Sequence, residues 1–188
     1  MKKLSVLGVD DAAEWLAVLL RTSQHDFYHL PQYHALTQLR GEGEPHLFVY
    51  TEGEFVVALP LMLRPVKDGP GMAATGGHWL DATSAYGYVG PLSSHVDMPQ
   101  SILRDFHAAL TNDLQERSVV AVFSRLSPLI PQRPLLDGLG ECQVVGHTIS
   151  IHLTLTPTVQ YARYRKNHKH GINKLRRLGV TCIHDRER

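Results

Sequence analysis

A run of basic side chains near the carboxyl end of the chain is the pattern with the clearest chemistry. Seven Lys and Arg residues and no Asp or Glu lie between Tyr161 and Leu178. Like charges four residues apart on a helix repel each other by roughly 0.2–0.5 kcal/mol per pair, whereas a charge-assisted contact to phosphate or carboxylate contributes about 1.5–3 kcal/mol. The run therefore predicts an anionic partner, either a small ligand or a nucleic acid. The alternative is a solvated face that the acidic remainder of the chain neutralises.

The formal net charge of +1 hides a strong asymmetry between the two parts of the chain. Residues 1–160 carry 10 Lys and Arg against 16 Asp and Glu, while residues 161–188 carry 9 against 2. A split of this kind within one chain indicates a basic element with an anionic partner, or a junction between domains.

A second candidate site is the segment Tyr86-Gly87-Tyr88, with Gly90 after it and Asp81 before it. Aminolysis of a thioester or ester needs no protein nucleophile, only a base and a donor to the oxyanion. Side chains of this segment could line a substrate cleft, and its glycines would let the backbone approach a ligand. The alternatives are tyrosines that pack at a strand end and glycines that shape a bulge.

Other chemistries find no support in the sequence. None of the 12 histidines has strong metal-ligand spacing, and no serine or cysteine sits in a nucleophile elbow. Neither a dinucleotide-binding fingerprint nor a P-loop is present. With 188 residues, 43% apolar and 20% charged, the chain predicts a folded domain with no membrane span, and its two cysteines fit a cytoplasmic protein.

Helix signals occur in four places. Asp11 can cap a first helix with Trp15, Leu16, Leu19 and Leu20 on one apolar face, and a second, with Tyr33, Leu36 and Leu39, follows Pro31. A third helix is predicted from an Asp97 cap through Leu114, with Pro99 in its first turn. Thr156-Pro157 begins a long helix that continues to about Leu178, whose buried stripe is predicted to be Tyr161, Tyr164, His168, Ile172 and Leu175.

Strand-like runs alternate with these helices. The predicted strands are 46–51, 54–64, 85–89, 119–123, 141–145, 147–155 and 180–184, with 67–84 as a loop. The first two form a hairpin around Glu52-Gly53, and Pro60 predicts a bulge or an open edge in the second. Residues 119–123 are predicted to be a buried strand. The fold class is α/β (α+β), with a mixed, mainly antiparallel sheet flanked by helices.

Three segments together carry a resemblance to a known family. They are DFYHLPQYHAL (26–36), DATSAYGYVGP (81–91) and YRKNHKHGINKLRRLGV (164–180). The chain resembles the first half of a Fem-type aminoacyltransferase, within the wider GNAT-like group that includes lipid II:glycine glycyltransferases. The resemblance implies a GNAT-like fold over 1–156. It implies that 157–188 supply the long basic helix and first strand of a second GNAT-like domain that lies beyond the chain, which would make this a truncated reading frame.

The resemblance implies transfer of an acyl or aminoacyl group to an amine. Family donors are acyl-CoA or aminoacyl-tRNA, and acceptors in the cell-wall branch are peptidoglycan precursors that bear a diphosphate. By position in the family pattern, Lys169 and Lys174 would meet phosphate, while Arg165 and Arg176 are supported by the helical wheel alone. Tyr86, Gly87 and Tyr88 complete the expected substrate-binding set, and no catalytic residue is assigned.

One departure from the GNAT pattern concerns the acyl donor. GNAT folds hold the CoA pyrophosphate on free N–H groups of a Gly-rich loop at a helix N-terminus. The matching turn here has no Gly-x-Gly, places Asp97 beside the helix start and has Pro99, which lacks an N–H. We therefore expect no cofactor in this chain, which would hold the acceptor and be inactive alone.

Two other functions stay open at this point. The basic helix 161–178 could bind nucleic acid, tRNA among the candidates, and its affinity would then fall steeply with salt. Alternatively, the chain is a nonfunctional fragment. In that case an exposed terminal strand at 180–184 would favour dimerisation by edge pairing.

Overall fold

The computed structural model describes residues 3–66 and 78–184. The chain divides into two compact units, Met1–Val144 and Val145–Arg188. The first unit contains a β-sheet with three α-helices, α1 (Ala12–Arg21), α2 (Pro31–Leu39) and α3 (Gln100–Glu116). The second unit contains two helices, α4 (Pro157–Arg163) and α5 (Lys166–Arg177).

The sheet of the first unit has six strands among the described residues. They are β1 (Lys3–Leu7), β2 (Glu44–Glu52), β3 (Phe55–Pro65), β4 (Leu80–Thr83), β5 (Leu92–Ser93) and β6 (Val119–Phe123). The order is β1-β2-β3-β4-β6, and β5 pairs with β3 beside β4. Every pair is antiparallel except β4 with β6, which are parallel and joined through the crossover helix α3.

Side chains alternate along each strand, so both faces of the sheet carry apolar residues, and helices cover both faces. Phe48 and Tyr50 of β2 point to the face on which α3 buries Phe106 and Leu110. The intervening strand residues form a second cluster on the opposite face, around the fully buried Trp15 of α1. The strands β2 and β3 are thus sealed on both sides and form the rigid centre of the unit.

Pro60 lies where the outer edge of β3 changes partner. Val57 and Ala58 pair with β5, and the strand pairs again with β4 from Met62 onward. Pairing with β2 continues without interruption through Leu47 and Pro60. Proline has no N–H to donate, so it fits the unpaired gap between the two partners. The predicted open edge at Pro60 is confirmed, without a bulge.

The predicted fold class is confirmed, since the sheet is mixed, mainly antiparallel and flanked by helices. The predictions that helices begin near Asp11 and Pro31, and that a hairpin turns around Gly53, are also confirmed. Within α1, however, Leu20 is 81% exposed, and the buried face of α2 carries His34 and Thr37 rather than leucines. The predicted loop 67–84 contains β4 near its end, and its residues 67–77 lie outside the described residues.

Several strand predictions are wrong. Residues 85–89 form a bend rather than a strand, because Gly87 and Gly90 adopt left-handed backbone conformations. Segments 141–145, 147–155 and 180–184 have strand-like sequences but are irregular. Their apolar residues could stabilise a strand only with a hydrogen-bonded partner, and none of these described segments has one.

Two further predictions fail at element ends and edges. Residues 119–123 form β6 as predicted, but Val120, Val122 and Phe123 are exposed because this strand pairs with β4 alone among the described strands. The helix α3 begins at Gln100 with Pro99, not Asp97, as its N-cap, and no side chain caps it.

The predicted long helix of the second unit is broken into two. Tyr164 and Arg165 are extended, with ψ of 145° and 152°, so the stripe predicted along one helix is not continuous and none of its members is buried. The break frees the Ala162 carbonyl, which accepts a hydrogen bond of 2.7 Å from Lys169 Nζ. That contact satisfies an end carbonyl of α4, which compensates for the interrupted helix.

None of the helices among the described residues is both long enough and apolar enough to pass through a lipid bilayer.

Substituting Phe106 tests the packing of α3 on the sheet. Phe106→Ala removes a fully buried ring from the α3 face and should lower the free energy of unfolding by about 3–5 kcal/mol. Leu39→Ala, at an 85% exposed position of α2, is the matched control and should change it by less than about 0.5 kcal/mol. Urea titration measures both, and equal losses would contradict this core.

Candidate functional site

The parallel strands β4 and β6 direct their carboxyl ends to the same edge of the sheet. Ligands of open α/β sheets commonly bind at such ends, where the connections diverge. A cleft of about 300 Å³ lies here. Its walls come from the segment after α2, from β3 and from the ends of β4 and β6: Gly41, Glu42, Met62, Arg64, Thr83, Ser84, Ala85, Tyr86, Phe123 and Arg125. We name it the β4–β6 cleft.

The segment that follows β4 is anchored through one buried carbonyl. The oxygen of Val89 accepts a hydrogen bond from Gln132 Nε2 at 2.9 Å and a second from His29 Nε2. All three residues are buried, and the donors come from parts of the chain on either side of the segment. Both donors lie outside the sheet and hold the far end of segment 84–90, while the Ser84 N–H holds its near end by donating to the Phe123 carbonyl of β6 at 2.9 Å.

Two positions of this segment require glycine, because a neighbouring side chain lies where a Cβ would be. Gly87 has φ of +103°, and a Cβ there would overlap the Tyr28 ring. Gly90 has φ of +46°, and a Cβ there would overlap the Gln132 amide that binds Val89. Gly87 therefore lets the segment pack closely against the Tyr28 ring.

Aromatic rings support the segment from the α2 side. Tyr28 meets Tyr33 and Tyr88 edge to face, with ring centroids 5.5 and 6.1 Å apart. The Tyr33 hydroxyl donates to the main-chain oxygen of Tyr86 at 2.9 Å, and burial raises the pKa of Tyr33. Tyr33 therefore remains a protonated donor and fixes the backbone of Tyr86. The Tyr86 ring itself is 74% exposed.

Charged groups in the β4–β6 cleft differ in how they are paired. Arg64 donates two hydrogen bonds to Asp81, of 2.8 and 2.6 Å, and this carboxylate raises the pKa of the guanidinium. Arg125 lies over the Tyr86 ring, with its guanidinium carbon 5.8 Å from the ring centroid. Glu42 is 3.0 Å from Arg40, an exposed pair of small energetic worth. Arg125 and Glu42 are thus the cation and anion most available to a ligand.

A buried histidine lies beside this support. His34 is fully buried against Trp15, with ring centroids 5.0 Å apart, and neither ring nitrogen makes a hydrogen bond of normal geometry. Burial lowers the pKa of His34 to about 4, although the nearby Tyr28 backbone favours its protonated form. Burial also lowers the pKa of His29, against the opposing Asp26 carboxylate. Both rings are therefore neutral near pH 7.

A larger cleft, of about 560 Å³, lies at the opposite ends of β4 and β6, around Leu80 and Arg117. Its lining holds two residues with full charges, Arg117 and Glu44. Arg117 is paired with Asp113, and His46 lies 3.8 Å from Glu44. Because Arg117 is paired and Glu44 is the remaining full charge of that lining, while the β4–β6 cleft offers both a cation and an anion, the β4–β6 cleft is the stronger candidate.

The start of α3 does not fit a CoA pyrophosphate. Pro99 at its N-cap has no N–H, and Asp97, which brings a negative charge, is exposed two residues earlier. The preceding segment uses its donors elsewhere, since Leu92–Ser93 pair with β3 and the Ser94 N–H donates to Val56 at 2.9 Å. The N–H groups that remain are those of the first turn of α3, near the Asp97 carboxylate, and the glycine-rich loop that cradles a pyrophosphate is missing from this turn.

The predicted basic residues lie in the second unit. Arg165 is the N-cap of α5, and Lys169, Lys174 and Arg176 are within it. Lys169 and Arg176 both lie over the Tyr161 ring, at 5.7 and 5.6 Å from its centroid, so they stabilise the contact of α4 with α5. That these cations bind a phosphate stays a prediction. The same holds for substrate binding by Tyr86, Gly87 and Tyr88.

Sequence reasoning missed four residues that the structure brings to the β4–β6 cleft or its support. His29 and Gln132 bind Val89 from distant parts of the chain, and no local spacing signals such a contact. Glu42 and Arg125 follow a helix and a strand, where polar residues are ordinary.

Comparison with known proteins gives similarity at the level of solved structures. No protein-family model matches the chain, and no curated protein matches it. It is similar to a ribosomal-protein-alanine N-acetyltransferase from Brucella melitensis, with 14% identity, a TM-score of 0.44 and coverage of 80% of this chain and 98% of that one. It is also similar to a predicted acetyltransferase from Clostridium acetobutylicum, with 12% identity, a TM-score of 0.42 and coverage of 82% and 97%.

Gly87 tests the packing of the segment against Tyr28. Gly87→Ala should destabilise the chain more than Gly53→Ala, because both positions have positive φ but only Gly87 lies against a ring. In a Tyr28→Ala background the extra cost should shrink, because the overlap with the ring is gone while the backbone strain of φ +103° remains, and a double-mutant cycle of unfolding free energies measures the difference. An extra cost that is unchanged without the Tyr28 ring would contradict this packing.

Acid titration tests the buried His34. In the unfolded chain this ring takes up its proton near the ordinary histidine pKa of 6.5, but in the folded chain burial lowers the pKa to about 4. The stability that the neutral ring contributes is therefore fully present above pH 6.5. As the pH is lowered from 6.5 toward 4, the free energy of unfolding falls by on the order of 1 kcal/mol per pH unit because of this group. His34→Leu should flatten that slope in urea titrations, whereas His25→Leu, at an exposed position, should not. An unchanged slope in His34→Leu would contradict this assignment.

Proposed function

We propose that this chain is a GNAT-like, Fem-type acyl- or aminoacyltransferase domain that holds the amine acceptor. The observation that carries the proposal is the β4–β6 cleft, where Glu42 and Arg125 flank the joint carboxyl ends of the parallel strands. The order of strands and the parallel crossover through α3 support the GNAT-like resemblance, together with the aromatic-glycine segment 86–91.

The reaction transfers an acyl group from a thioester or ester to an amine. The amine nitrogen attacks the acyl carbonyl, the new C–N bond forms, and the C–S or C–O bond breaks with its electron pair leaving on sulfur or oxygen. The amine must give up a proton in this step, so a nearby carboxylate or water must accept it. Glu42 is the carboxylate that lines the cleft, and it suits an incoming ammonium group.

The acceptor class follows from the two charges of the cleft. Glu42 attracts the amine end, and Arg125 can donate charge-assisted hydrogen bonds to an anionic substituent. An amine that also bears a carboxylate or phosphate therefore fits best, and a peptidoglycan precursor linked to UDP is one such molecule. The family resemblance separately assigns a phosphate contact to Arg165, Lys169, Lys174 and Arg176 of the second unit, and that contact stays a prediction.

The donor is not held by this chain in our proposal. The turn before α3 has no glycine-rich loop, Pro99 has no N–H to donate, and Asp97 opposes the charge of a CoA pyrophosphate. The donor, acyl-CoA or aminoacyl-tRNA, would bind to a separate GNAT-like fold. The chain alone should therefore bind the acceptor without turning over acyl-CoA.

Calorimetric titration tests the acceptor site. A UDP-linked muramyl peptide with a free amine should bind the purified chain, and acyl-CoA should not compete. Arg125→Gln should weaken binding about tenfold or more, the loss expected for a charge-assisted contact of about 1.5–3 kcal/mol. Glu42→Gln should weaken it for the amine form more than for the N-acetylated form of the same ligand.

Matched controls are available outside the cleft. Arg21→Gln, at an exposed position on α1, and Glu44→Gln, in the opposite cleft, should leave the affinity unchanged. Equal losses in control and cleft variants, or tight binding and turnover of acyl-CoA, would overturn the proposal. So would affinity that falls steeply with salt and follows RNA rather than the precursor, since that behaviour belongs to nucleic-acid binding.

A further inference from the structure

The two helices of the second unit leave their apolar side chains uncovered. No residue of α4 or α5 is buried. On α5 Leu175 is 50% exposed, and Leu178, directly after the helix, is 68% exposed. An apolar stripe of this kind beside polar residues marks a surface that another molecule covers.

The apolar side of α5 is bordered by cations on both flanks. At 100° per residue, Ile172 and Leu175 fall on one side of the helix, Lys174 on one flank, and Lys169 and Arg176 on the other. Long basic side chains can run along an apolar surface while their charged ends reach outward. This is the arrangement of a helix that lies in the plane of a bilayer interface.

The charge of the unit has no internal counterpart on these helices. Tyr161–Leu178 contains no acidic residue, and no ion pair in the described part of the chain involves its seven cations. Lys174 is exposed, and Lys166 begins the helix at another exposed position. Clusters of four to eight basic residues on an amphipathic helix attract anionic lipid headgroups.

We propose that α5 binds the surface of an anionic lipid bilayer. Ile172, Leu175 and Leu178 face the acyl chains, and the exposed cations Lys166 and Lys174 contact headgroup phosphates. A nucleic acid would use the cations but not the leucines, and the Tyr161 ring, which could stack on a base, is already covered by Lys169 and Arg176. The apolar stripe therefore favours a lipid surface. This inference is independent of the acceptor cleft of the first unit.

Vesicle flotation of the full chain tests the inference. The chain should float with vesicles of phosphatidylcholine and phosphatidylglycerol, and not with phosphatidylcholine alone. Lys174→Gln should lower the partition coefficient about fivefold, the change that about 1 kcal/mol per basic residue represents. A Leu175→Ser, Leu178→Ser double variant should lower it at least as much, at unchanged circular dichroism.

Substitutions on α1 provide matched controls. Leu20→Ser and Arg21→Gln change an exposed leucine and an exposed arginine of the first unit and should leave flotation unchanged. Absence of flotation with the anionic vesicles would overturn the inference. It would also be overturned if the double leucine variant floated normally while UDP or RNA displaced the chain, because the cations would then serve a phosphate ligand alone.

Discussion

The position of the candidate site depends on one buried oxygen, the main-chain carbonyl of Val89. A buried carbonyl must be hydrogen-bonded, since leaving it without a donor costs about 1–3 kcal/mol. His29 and Gln132 meet this requirement from segments 60 and 43 residues away along the chain. These donors hold one end of the stretch from Ser84 to Gly90, the Ser84 N–H pairs the other end with β6, and Tyr86 between them lines the cleft.

The sheet and this anchor cooperate in shaping the cleft. Pro60 divides the outer edge of β3, so β5 pairs on one side of it and β4 on the other. The chain between β4 and β5 must therefore leave the sheet and return, and the segment anchored at Val89 is that excursion. Parallel pairing of β4 with β6 then brings Arg125 beside Tyr86. Backbone pairing thus decides that the Arg125 guanidinium lies over the Tyr86 ring.

Much of the fold could be predicted from the sequence where local pattern and tertiary packing agree. The hairpin around Gly53 and the helix that buries Phe106 have turn and periodicity signals that match their environment. Prediction failed where a segment needed a distant partner. Residues 147–155 alternate like a strand but are irregular, and the apolar β6 lies exposed at an edge, because periodicity does not report whether a partner strand is present.

The candidate site was only partly predictable for the same reason. Tyr86 and Gly87 could be chosen from their types and spacing, and the structure places Tyr86 in the cleft wall and Gly87 against a ring. Arg125 and Glu42 could not, because their proximity to Tyr86 arises from strand pairing over long separations. The break at Tyr164 in the basic helix was also hidden, since the surrounding residues continue a helical pattern.

The central claim is that the acceptor binds at the carboxyl ends of β4 and β6 while the start of α3 holds no donor pyrophosphate. Amide chemical-shift mapping of the isotope-labelled chain tests both halves in one experiment. Titration with an anionic amine acceptor should move the resonances of Ser84, Tyr86 and Arg125, and titration with CoA should leave those of Gln100–Leu103 unmoved. Saturable shifts at Gln100–Leu103 with CoA, and none around Tyr86 with the acceptor, would contradict the account.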